Sequence, residues 1–89
     1  MAERSDEYII GRLIERSRLL IAISEEIPVE TKLQTQPLLK QLEQALAVPA
    51  DEQDEDHVRA TYAALYGELA DYADLEALLS ALRNFVPYL

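Results

Sequence analysis

Three of the four prolines, Pro28, Pro49 and Pro87, divide this chain, and between them the apolar residues recur at intervals of three and four. That spacing is the signature of an amphipathic helix, one face of which must be covered. In the first segment it runs through Ile10, Leu13, Ile14, Ser17, Leu20, Ile21, Ser24 and Ile27 without a break. Ser5, followed by Asp6 and Glu7, has the form of a helix start: a side-chain cap, then two carboxylates at the positive end of the dipole. The pattern predicts a helix over about 6–26. The two serines on its inner stripe are small enough to let a neighbouring helix come close. Glu25 and Glu26 stand at the wrong end for the dipole, so the last turn is expected to fray.

The second segment places Leu38, Leu39, Leu42, Ala45 and Leu46 on one stripe. Thr31-Lys32-Leu33-Gln34 has capping-box form, but Pro37 would then fall inside the helix. Thr35 as the cap puts Pro37 in the first turn, where a missing N–H costs little. The expected helix is 36–47, with room for one extra turn before it. Asp51 to Asp56 then opens a third helix, about 52–71, with Val58, Tyr62, Leu65, Leu69 and Tyr72 on its inner face and Tyr66 beside them. Gly67 costs about 1 kcal/mol there relative to Ala, but the period passes through it. Leu75, Leu78, Leu79, Leu82 and Val86 repeat the spacing in a fourth helix, about 75–85, capped by Asp71 or Asp74. No segment alternates with period two and none carries an Asn-Gly or Asp-Gly turn. The expected fold is all-α: one helical domain over residues 1–89, a small antiparallel bundle of three to four helices, dimeric through the long first helix.

Charge bounds the partners. Seventeen acidic residues oppose eight basic ones, for a net charge of −9. Such a chain repels phosphate backbones and anionic lipid surfaces, so neither direct nucleic-acid binding nor a membrane is expected. Residues 1–18 hold four bases and four acids, whereas residues 50–89 hold nine acids against Arg59 and Arg83. A protein partner with a basic surface would be steered to that half. The longest apolar run, Leu19 to Ile23, is far too short to span a bilayer, and the N-terminus lacks the apolar core of a signal peptide. A cytoplasmic address is the expectation.

The reactive side chains do not assemble into a familiar chemistry. With no cysteine and one histidine, there is no thiolate, no Cys-ligated metal and no Ser-His-Asp order. Gly11 and Gly67 alone cannot form a phosphate loop. An EF-hand starting at Asp51 would lack both its glycine and its closing glutamate. Asp54, Asp56 and His57 are spaced too closely to converge on a metal unaided. Glu68, Asp71 and Asp74 could gather as an acid–base pair, but acids are so frequent that this means little. No catalytic residue, metal or cofactor is expected.

What stands out is surplus apolar surface on the first helix. The core stripe already spans roughly 140°, a full bundle-facing width. Ile9, Leu19 and Ile23 extend it around one shoulder together with Arg12 and Arg16, a contiguous strip at about 100° per residue. Aliphatic residues flanked by arginine suit a protein contact. The plainer alternative is that another helix covers them and the arginines pair with the acidic half. Tyr66, at the edge of its stripe, is added as a candidate contact. The expected function is non-catalytic protein binding by a small acidic adaptor, regulator or inhibitor. The alternative is a nucleic-acid mimic, with Asp51, Asp54, Glu55, Glu68, Asp71, Asp74 and Glu76 on one exposed side occupying the basic groove of a DNA- or RNA-handling enzyme.

Overall fold

The computed structural model describes residues 2–89, with side chains from residue 6 onward. Four helices, α1 (Ala2–Ile23), α2 (Val29–Leu46), α3 (Glu55–Leu69) and α4 (Ala73–Leu82), pack on one another, with a single 3₁₀ turn at Ala50–Glu52. No strand occurs among the described residues. Each helix packs on the next in sequence, and α4 returns to α1, which closes the ring.

Side-chain bonds fix the directions. Lys32 Nζ donates to the Ala22 carbonyl at 3.1 Å and Gln36 Nε2 to the Arg18 carbonyl at 3.4 Å, so α1 and α2 are antiparallel. Tyr62 donates to the Leu79 carbonyl and Tyr66 to Glu76, so α3 and α4 are antiparallel too. The end of α1 and the turn between α3 and α4 meet at one end of the molecule. The arrangement is an up-down-up-down bundle.

Its core is the set of stripes read from the periodicity. Ile14 and Ile21, Leu39 and Leu42, Val58 and Leu65, and Leu79 and Leu82 are fully or almost fully buried. Ser17 is buried as well, and its hydroxyl donates to the Leu13 carbonyl at 2.8 Å, so the close approach leaves no polar atom unsatisfied. Val86 is buried, while Tyr88 and Leu89 pack against the core edge and extend it past the last helix.

The helix ends differ from the expected ones for local reasons. α1 begins at Ala2, because Ala2, Glu3 and Arg4 favour helix and nothing there breaks it; the Ser5 side-chain cap lies outside the described residues. α1 stops at Ile23 and not at Glu26. Ser24 Oγ accepts the N–H groups of Glu26 (3.1 Å) and Ile27 (3.3 Å), which turns the chain before the two glutamates would face the negative dipole end. Lys32 supplies the missing cation at that end. α2 starts at Val29, seven residues before the expected start, because Pro28 is preset for a helix entrance. Pro37 therefore lies inside α2, and Thr35, expected as a cap, is fully buried with its hydroxyl donating to the Thr31 carbonyl at 2.7 Å. α3 begins at Glu55 because Asp54 is its cap, accepting the His57 N–H at 3.2 Å. α3 ends at Leu69 and α4 starts at Ala73 with no side-chain cap, so neither Asp71 nor Asp74 serves as one.

Candidate interaction surface

The large apolar side chains left open to solvent are unevenly distributed. Among the described residues they are Tyr8, Leu19, Ile23, Val29, Leu33 and Val48, and all but Val48 belong to α1 or the first turns of α2. The charge is divided in the complementary way. α1 from residue 6 and α2 each carry equal numbers of acids and bases, whereas α3 and α4 are both net acidic. One side of the bundle is apolar and neutral; the other is acidic.

The α1 strip lies on the first of these sides. Leu19 is 58% exposed and Ile23 62%, so no segment of the chain covers them. Ile9 is half-buried, and Arg12 and Arg16 are exposed. Arg12 lies 5.9 Å from the centre of the Tyr8 ring. Among the described residues neither arginine forms an ion pair, in contrast to Arg18, which bridges Glu15 and Glu43 (2.7 Å to the latter). The five residues thus share one face and remain available on it, apart from the covered half of Ile9.

Tyr66 is placed elsewhere. It is half-buried between α3 and α4, stacked on Tyr62 at 6.1 Å between centroids, with the Arg83 guanidinium 5.1 Å from its ring centre. Its hydroxyl donates to Glu76 at 2.7 Å, and Ser80 donates to the same oxygen at 2.6 Å. These groups are spent inside the chain, between α3 and α4. The two hydroxyls, Ser80 first, hold the Glu76 carboxyl below its usual range. A depressed carboxyl contributes stability above its unfolded pKa, and this is lost as pH falls through the lower, folded value. Tyr66→Phe is accordingly expected to lower the melting temperature at neutral pH and to lower it less once Glu76 is protonated; thermal melts at neutral and acid pH check this. Burial pushes the Tyr62 hydroxyl up, partly opposed by Arg83. No spacing rule foretold the Tyr62–Tyr66–Arg83–Glu76 cluster, since its members meet only once α3 and α4 are antiparallel.

Of Asp51, Asp54, Glu55, Glu68, Asp71, Asp74 and Glu76, all are exposed except half-buried Glu76. They do not form one free stripe. Asp54 caps α3, Glu55 lies 3.8 Å from Arg59, and Asp71 and Asp74 lie at the far end of the bundle. No cluster of three or more His, Asp or Glu side chains suited to a metal occurs among the described residues. At that far end a shallow depression of about 570 Å³ opens between the end of α1 and the α3–α4 turn. Its floor is apolar, with Leu20, Ile27 and Leu75; its rim holds Ile23 and four carboxylates, Glu25, Glu26, Asp71 and Asp74. No lysine or arginine pairs with these four among the described residues. No described helix is long and apolar enough to cross a membrane. No family model, curated protein or solved structure matches the chain.

Proposed function

We propose that this chain is a non-catalytic protein-binding module, a small acidic adaptor, regulator or inhibitor that presents the outer face of α1 to a protein. One observation carries the reading: Leu19 and Ile23 stay more than half exposed beside two arginines that have no ion-pair partner among the described residues. Isolated exposed aliphatics are ordinary, but aliphatics and arginines on one rigid helix face have the composition of a contact centre. The acidic α3–α4 side would supply long-range attraction to a basic partner, raising the on-rate more than the final affinity.

The double substitution Leu19→Asp/Ile23→Asp separates this from a structural role. Both side chains are largely solvated, but an aspartate in place of Ile23 stands at the negative dipole end of α1 among four carboxylates, so thermal stability is expected to fall by no more than about 1 kcal/mol. Proteins captured from an extract by the wild-type chain are expected to be lost by the variant, and to survive raised salt on the wild type. Capture that is unchanged by the substitution but abolished by salt would favour the nucleic-acid-mimic reading. A wild-type chain that stays monomeric and captures nothing would overturn the proposal.

A further inference from the structure

We infer that the occupant of the α1 face is a second copy of this chain, related by a two-fold axis with the two first helices antiparallel. Arg12 of each copy then faces the rim of Glu25, Glu26, Asp71 and Asp74 of the other, with Arg16 one turn nearer the axis. The inference rests on reading the α1 strip as a contact surface and names what covers it.

Arg12 and Arg16 are exposed and have no ion-pair partner among the described residues, and the same holds for the four carboxylates around the depression. Along this face the arginines come first, at the middle of α1, and the carboxylates follow beyond its C-terminal end. At about 100° per residue, Arg12, Arg16 and Ile23 fall within roughly 40° of one another around α1. Ile23 lines the depression, so the depression opens on the side that bears the arginines. From Arg12 to Glu26 the order is positive, apolar, negative, so this stretch is its own complement once reversed. An isologous two-fold contact requires that property.

A register follows. A two-fold passing beside residue 18 sets Arg12 level with Ser24 of the other copy, where the rim glutamates begin. Leu19 lies next to the axis and packs on its own symmetry mate. Ile23 falls between the other copy's Ile9 and Arg16. The long-range field selects the same face. Two bodies of charge −9 repel, but the whole of that charge resides outside residues 1–18, which carry four bases and four acids. From Ile9 to Ile23 the contact runs only about 21 Å along α1. That is narrower than an interface of standard size, so the expected dimer dissociates on dilution.

The test uses the full chain in sedimentation and light scattering, from micromolar to submillimolar concentration. The wild type is expected to move from 10.1 kDa toward twice that mass. Arg12→Glu/Arg16→Glu and Glu25→Lys/Glu26→Lys are each expected to weaken self-association by about tenfold or more, because like charges then meet across the axis. Mixed together, the two variants regain complementarity at both halves of the contact, so a labelled sample of one is expected to bind the other about as tightly as the wild type binds itself. If either variant fails to melt cooperatively, salt titration of the wild-type dimer reads the same charges, with a loss of about tenfold expected between low and high salt. A wild type that is monomeric throughout, a dimer indifferent to both charge reversals and to salt, or variants not rescued by mixing would overturn the inference. A monomer that still loses a partner through Leu19→Asp/Ile23→Asp would overturn the dimer alone and leave the protein-binding reading standing.

Discussion

Leu79→Ala is expected to remove about 3–4 kcal/mol of folding stability, the largest loss of any change considered for this chain. Leu79 is fully buried at the centre of α4, where that helix meets α3, and its carbonyl accepts the Tyr62 hydroxyl. Truncation leaves a cavity that four short, closely connected helices can only partly close, so the cavity cost adds to the lost transfer energy. A domain of this length has roughly 4–13 kcal/mol in total, and the melting temperature is expected to fall by roughly 12–32 °C. Leu78→Ala, one residue away and only half-buried, is the internal control, with a smaller fall expected. Equal melting temperatures for the two variants in circular dichroism would mean that the α4 face is misassigned. Because α1 packs on α4, the loss at Leu79 also removes the support under the α1 strip, and self-association is expected to weaken as the fold does.

The core was legible in the sequence because burial in a bundle follows a period that requires no knowledge of the partner helix. Every apolar residue placed on the four stripes is buried or half-buried, from Ile10 to Val86. The same arithmetic located the surplus: Leu19 and Ile23 fall outside the width one helix can hide, and they are exposed. What the period does not encode is where competing local bonds end a helix. Ser24 has a helical position in the pattern, yet its hydroxyl serves two N–H groups of the next turn and stops α1. Thr35 reads as a polar cap and is instead buried, its hydroxyl satisfied one turn back within α2. Tyr66 reads as an edge residue, and its surroundings depend on Glu76, Ser80 and Arg83 arriving from α4. The acidic depression was illegible for the same reason: Glu25 and Asp71 are far apart in sequence and meet only at the common end of α1 and α3.

Pro37→Ala is expected to act in the opposite direction and to stabilise the chain by about 2 kcal/mol. Proline in the interior of a helix costs roughly 3 kcal/mol, because it cannot donate to the carbonyl four residues earlier and its ring crowds that carbonyl. Here that carbonyl belongs to Leu33, and α2 continues through Pro37 for two more turns, to Leu46. Part of the gain is offset because alanine restores freedom to the unfolded chain, worth about 0.4–1 kcal/mol. Pro37 is exposed, so alanine at that site leaves no buried cavity. The expected rise in melting temperature is roughly 8–16 °C. The alternative is that α2 depends on the proline for its packing against α1, where Pro37 lines a surface groove with Arg18, Gln36, Lys40 and Glu43. In that case the substitution would lower the melting temperature and disturb the Arg18–Glu43 pair. A rise with unchanged self-association would show that the cost of Pro37 is local to α2, and that the α1 face depends on α2 only through the buried residues between them.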